Sequence, residues 1–236
     1  MAADVDLHGL ASDALVDLAV RENHRVVEVA EELERRAPDR EAFEAIRRAY
    51  ESRAMAPWMA ALLLGRARVE AGYAQVRAIL LEAPGLLAES YAGVALARIG
   101  GEPAFDDLAK LMMEAPRKAS REGAADGLGS LRRAGTAALV LRAAREGRIR
   151  PETAASAVGD TPDARLAMKE WLGGDDTLAV RIATYAVAGW LARENAVVSL
   201  ELVRAFEATV RSGRVKQSPS TREHRLELVR RVVERS

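Results

Sequence analysis

The stretch Tyr91-Ala-Gly-Val-Ala-Leu-Ala-Arg-Ile-Gly100 sets Ala92, Leu96 and Ile99 four and three residues apart, which puts all three on one face of a helix. The same triplet returns as Ala60, Leu64 and Ala67, as Ala124, Leu128 and Leu131, and as Ala183, Val187 and Trp190. Fainter copies stand at Val26, Ala30 and Leu33 and at Ala154 and Val158. The central positions 30, 64, 96, 128, 158 and 187 follow one another at intervals of 34, 32, 32, 30 and 29 residues. A period of that length marks a repeat array, in which each unit buries its apolar face against the next.

Between the copies lie second amphipathic stretches, at 40–50, 103–113 and 163–171, so each repeat reads as a pair of helices. Pro38, Pro57, Pro84, Pro103, Pro116, Pro151 and Pro162, together with glycines such as Gly72, Gly85, Gly100 and Gly135, punctuate the pattern where helices should end. Alternation of period two is nowhere sustained, which predicts no sheet. The chain therefore reads as all-α: one domain over 1–236 of about seven antiparallel helical hairpins, with 1–23 and 196–236 as capping units. Near the end, the pattern predicts a helix from about Ala196 to Arg211, a loop over 212–221 and a last helix from about Thr221 to Arg235. Ser220 or Thr221 would cap that last helix.

A small residue, an aliphatic four positions on and a turn ending in glycine, as in Ala92-Gly-Val-Ala-Leu-Ala-Arg-Ile-Gly100 and Val180-Arg-Ile-Ala-Thr-Tyr-Ala-Val-Ala-Gly-Trp-Leu191, resembles HEAT-like repeats. The bacterial form named for phycobilisome lyases is the one it is most similar to, over residues 24–193. The resemblance implies a right-handed α-solenoid, an alpha-alpha superhelix whose second helices line a concave face. Asp176 and Arg181 look like the acid and arginine that bridge adjacent units in such repeats.

Composition narrows the function classes. Hydrophobic residues are 49% of the chain and aromatics only 4%, a core of small side chains that lets helices approach closely. With 35 basic and 35 acidic residues there is no global field to collect polyanions, so nucleic acid is disfavoured as a partner. Cysteine is absent, which removes thiolate metal sites and a cysteine nucleophile. The acidic start, without an unbroken apolar run, reads as neither signal peptide nor membrane span, hence no membrane and a cytoplasmic protein. Residues 1–50 carry 12 acids and 7 bases, and residues 201–236 carry 5 and 9. Either the polar ends simply differ, or opposite ends support weak head-to-tail self-association.

Catalytic material is sparse. His8, His24 and His224 are scattered, so a histidine metal cluster or a Ser-His-Asp arrangement is not foreseen, and neither a catalytic residue nor a cofactor is assigned. Adjacent acids such as Glu31-Glu32 and Asp106-Asp107 read as solvated surface or caps. Gly123-Ala-Ala-Asp-Gly-Leu-Gly129 lacks the strand and Lys-Ser/Thr of a phosphate loop and reads as close helix packing. Trp58, Trp171 and Trp190 bring to mind HEAT-like enzymes that excise alkylated DNA bases, but Trp171 and Trp190 fall at core positions. That activity, or a chromophore-lyase-like accessory role, is the alternative reading.

The leading reading is a non-catalytic scaffold or adaptor that binds another protein. Arg66 and Arg98 share one repeat position, two after the central aliphatic, and Arg132, Arg133 and Arg193 lie near equivalent helix ends. Stacking would align them either as inter-repeat salt bridges or as a basic binding ridge. Trp58 and Tyr91, early in their helices, are of the type that anchors interfaces.

Overall fold

The computed structural model describes residues 6–83, 86–159, 161–193 and 198–235. Among these residues regular structure is helical throughout, with fourteen α-helices and three short 3-10 segments and no strand. The chain divides into two compact units, Met1–Leu131 and Arg132–Ser236.

The first unit holds α1 (Ser12–Arg21), α2 (Val26–Arg36), α3 (Arg40–Glu51), α4 (Pro57–Ala67), α5 (Tyr73–Glu82), α6 (Leu86–Gly100), α7 (Ala104–Glu114) and α8 (Lys118–Leu131). Consecutive helices pack in pairs, and the even-numbered members form a row, α2 on α4, α4 on α6 and α6 on α8. That row carries the sequence triplets. Val26, Ala30 and Leu33 of α2 and Ala60, Leu64 and Ala67 of α4 are all buried. In α6 and α8 the first two members of each triplet are buried, while Ile99 and Leu131 are half-buried.

The second unit holds α9 (Thr136–Arg145), α10 (Pro151–Ala157), α11 (Pro162–Gly173), α12 (Thr177–Leu191), α13 (Leu200–Ser212) and α14 (Pro219–Arg235). Again consecutive helices pair, with α10 on α12 and α12 on α14. Helix starts follow local chemistry. Pro57, Pro151 and Pro162 occupy first-turn positions, where a missing N–H is harmless. Asp39, Thr161, Asp176 and Ser199 accept hydrogen bonds from first-turn amides.

Two close contacts fix the first unit. Along α6 and α8 the backbones touch: a Cβ added at Gly93 would stand 1.7 Å from the Gly123 carbonyl oxygen, and one at Gly123 would stand 2.2 Å from that of Glu89. Only glycine permits this approach. Beside it the Glu89 carboxylate, 1% exposed, faces the Arg117 guanidinium at 3.1 Å. Arg117 also donates to the carbonyls of Leu80, Leu81 and Ala83 at 3.2, 3.0 and 2.9 Å, closing the C-terminal end of α5.

Some expectations are corrected. Glu32 is buried, not solvated, because His8, Arg35 and Arg36 close over it, with nitrogens 2.9, 2.8 and 2.8 Å from its oxygens. Burial works against its charge, but the Arg36 hydrogen bond and the charges of Arg35 and His8 prevail and hold it below the ordinary carboxylate range. Trp190 is core, whereas Trp171, in the last turn of α11, is only half-buried. Helix α13 starts at Leu200 under a Ser199 cap, and Ala196 lies outside the described residues. Helix α14 starts at Pro219, and Ser218 rather than Ser220 or Thr221 accepts the amide of Thr221, at 3.1 Å. Pro84 and Gly85 also lie outside the described residues.

The second unit should be acid-sensitive. The Thr161 hydroxyl and the Gly135 amide hold Asp163 below the ordinary range, and Arg145 with the Ala179 amide does the same for Asp176. A carboxyl whose folded pKa lies below its unfolded value near 3.8 contributes stability that is full above that value. The contribution is lost as pH falls through the folded pKa. Thermal unfolding at pH 3 is therefore expected at lower temperature than at pH 7, and Asp163→Asn/Asp176→Asn should narrow the gap; an unchanged gap would remove these groups from the account.

Candidate functional site

The exposed side of the even-numbered row in the first unit brings together the residues that the repeat register singles out. Glu34, at the C-terminal end of α2, pairs with Arg66 of α4 and lies 2.9 Å from Nη1 of Arg98 of α6. Trp58 and Tyr91, near the starts of α4 and α6, have ring centroids 6.0 Å apart at 38°. Like ends therefore meet like ends, and α2, α4 and α6 run parallel.

Helical geometry extends the pattern. On α4 Trp58, Leu62 and Arg66 recur every four residues, and on α6 Leu87, Tyr91, Val94 and Arg98 recur every three or four, so each set shares one face. Leu87 is 63% exposed, Val27 on α2 is 60% exposed, and Trp58, Leu62, Tyr91 and Val94 are half-buried. The face is thus apolar and aromatic toward the helix starts and charged toward their ends. Eight residues of helix separate Trp58 from Arg66, a rise of about 12 Å.

The charged end is an arginine cluster around one carboxylate. Arg68 joins Arg66 and Arg98, with Nη2 2.8 Å from Glu34 Oε1. Its left-handed backbone, φ 51°, ends α4 and turns the side chain out of the helix. Burial, then the neighbouring positive charges, lowers the pKa of Arg66 and of Arg98. The Nε of Arg66 is buried without a hydrogen-bond partner. Three guanidiniums meet the Glu34 carboxylate, and Glu31 adds a second negative charge near Arg66, so positive charge remains in excess.

Arg68 also borders a groove of about 1730 Å³ at the starts of α3, α5 and α7. Phe43, Val69, Ile99 and Pro103 give it apolar walls, and the Tyr73 hydroxyl donates to Asp107 Oδ2 at 3.0 Å. Burial and the adjacent Asp107 carboxylate raise the Tyr73 pKa far above its usual value, so the phenol stays protonated.

The remaining sequence candidates lie in the second unit. Arg132, with φ 51°, and Arg133 are exposed in the turn before α9, and Arg193 is exposed just after α12. Asp176 and Arg181 do not pair with each other. Asp176 caps α12 and meets Arg145 of α9 at 2.6 Å, while Arg181 meets Glu152 of α10 at 2.5 Å, so each ties α12 to the preceding helix pair. Sequence reasoning missed Glu34 and Arg68. The repeat register gave no signal for either, since Glu32 and not Glu34 holds the position of Arg66 and Arg98.

Among the described residues no group of three or more histidine, aspartate or glutamate side chains could hold a metal ion, and no helix is long and apolar enough to cross a membrane. Comparison with known proteins finds no family model, no curated protein and no solved structure that matches this chain.

Proposed function

We propose that this protein is a non-catalytic interaction module of the HEAT-like solenoid kind, acting in the cytoplasm as a scaffold or adaptor. Its partner is a protein segment that lies along the outer face of α2, α4 and α6. The observation that carries the reading is the juxtaposition on one face of the half-buried aromatic pair Trp58 and Tyr91 with the arginine cluster Arg66, Arg68 and Arg98. Aromatic and arginine side chains set into half-buried surface are the composition of interface hot spots. The repeat period and the packing of consecutive helices in pairs support the solenoid, in which the even-numbered helices would form the concave side.

The fitting segment carries an apolar or aromatic anchor and an acidic group about 12 Å away, matching the rise from Trp58 to Arg66. The acid would exchange with Glu34 for the guanidiniums. Affinity capture from source lysate with wild type, Trp58→Ala and Arg98→Gln, each first shown to be folded, tests this. A protein captured by wild type and lost from both variants is expected, with an affinity loss of about 2 kcal/mol for the tryptophan. Capture that survives both changes would move the interface elsewhere.

A further inference from the structure

In the second unit one positive charge is buried without a negative one. Arg225 of α14 is 6% exposed, donates to Gln217 Oε1 at 2.7 Å, and sets its guanidinium 5.0 Å from the Tyr185 ring centroid. Among the described residues no carboxylate pairs with it. Burial lowers its pKa, and the neighbouring Tyr185 only partly opposes that. Buried arginines are ordinarily matched by an acid, because an unmatched charge out of water is costly.

Tyr185 is also a wall of a cavity of about 420 Å³ between the start of α12 and the turn before α14, lined by Thr177, Arg181, Arg214, Val215 and Lys216 as well. The guanidinium of Arg181 lies 5.5 Å from the same ring. Arg181, Arg214 and Lys216 line this cavity and Arg225 stacks on its Tyr185 wall, and the counter-charges of these four side chains are unequal. Arg181 has Glu152 at 2.5 Å, and Arg214, which donates to the Leu172 and Gly174 carbonyls, has exposed Asp175 at 4.0 Å. Lys216 is exposed and, like Arg225, meets no carboxylate among the described residues. The local excess is two positive charges.

We infer that this cavity is an anion site for a phosphate dianion, free or as a phosphomonoester. Two unmatched cations call for two negative charges on one compact group, which a phosphomonoester with its second pKa near 6 carries at neutral pH and which free phosphate carries as hydrogenphosphate. The Thr177 hydroxyl, Lys216 and Arg214 supply donors from the rim, while Arg225 and Arg181 set the potential through Tyr185. Chloride, with a single charge and no fixed geometry, fits such a set poorly.

The test is thermal unfolding and calorimetric titration of the full chain at pH 7.5 with inorganic phosphate and with O-phosphoserine, against sodium chloride at equal ionic strength. A saturable rise in melting temperature with phosphate or phosphoserine, absent with chloride, is expected. Lys216→Ala, a surface change, should weaken binding on the order of tenfold and leave the free protein's melting temperature alone. Arg225→Met, similar in volume and uncharged, should keep or raise the free protein's melting temperature while lowering the phosphate response. Tighter binding of phosphoserine assigns the site to phosphomonoesters, and equal binding assigns it to free phosphate. A response matched by chloride, or one undiminished in both variants, would overturn the site.

Discussion

Gly93→Ala is expected to destabilise the first unit by at least about 3 kcal/mol, at the upper end of what overpacking a core ordinarily does. The new methyl carbon would overlap the Gly123 carbonyl group, with the oxygen 1.7 Å and the carbon 2.5 Å away. Neither atom can rotate aside, since both belong to the α8 backbone. The helices would have to separate, and α6 packs not only on α8 but on α4 and α5, so the displacement would spread. A matched control is at hand in α12, where a Cβ at Gly189 would meet nothing within 4 Å. Gly189→Ala should be neutral or stabilise by up to about 1 kcal/mol, because alanine is the better helix former. Urea denaturation followed by circular dichroism would check both, and equal midpoints for the two variants would contradict the close contact.

Arg117→Ala is expected to cost about 3–5 kcal/mol, the usual result of stripping a buried charge of its partner. Two losses combine. Glu89, 1% exposed, would be left in the core with no guanidinium 3.1 Å away to meet it. The carbonyls of Leu80, Leu81 and Ala83 would lose their shared donor. The pair as a whole contributes less than this, since its desolvation offsets much of its attraction. Glu89→Leu/Arg117→Met should therefore be more stable than Arg117→Ala alone, by an amount that a double-mutant comparison of unfolding free energies would read. A double variant as weak as the single would mean that Arg117 acts through the carbonyls only.

The helices were legible because they repeat a signal. Ala60, Ala92, Ala124 and Ala183 each begin the same four-and-three spacing, and burial follows it with little exception. The glycines at 123–129 were readable as packing residues, yet the sequence did not say that Gly93 was their counterpart, because that depends on which turn of α6 faces which turn of α8. The site was half legible. Arg66 and Arg98 hold one register position and so had to fall side by side on parallel helices, whereas Trp58 and Tyr91 are offset by one position in the repeat and their ring contact had to come from the fold. Glu34 stands in an acidic run with Glu31 and Glu32, and only the fold separates the three, sending Glu32 inward and Glu34 to the arginines. Arg68 was hidden because its place depends on one left-handed residue at the end of α4. Arg225 read as part of a charged, solvated end. Its burial comes from α12 and Tyr185, more than thirty positions back along the chain.

The seam between α6 and α8 also limits how this sequence can drift. In most of the core a lost methylene at one position can be made good by a gained one across the interface, so lineages can exchange leucine, valine and isoleucine in compensating steps. At Gly93, Gly123 and Gly127 there is no side chain to trade, and each admits one amino acid whatever stands opposite. Ancestry should therefore be most durable in this glycine spacing, even after the surrounding aliphatic residues have changed beyond recognition.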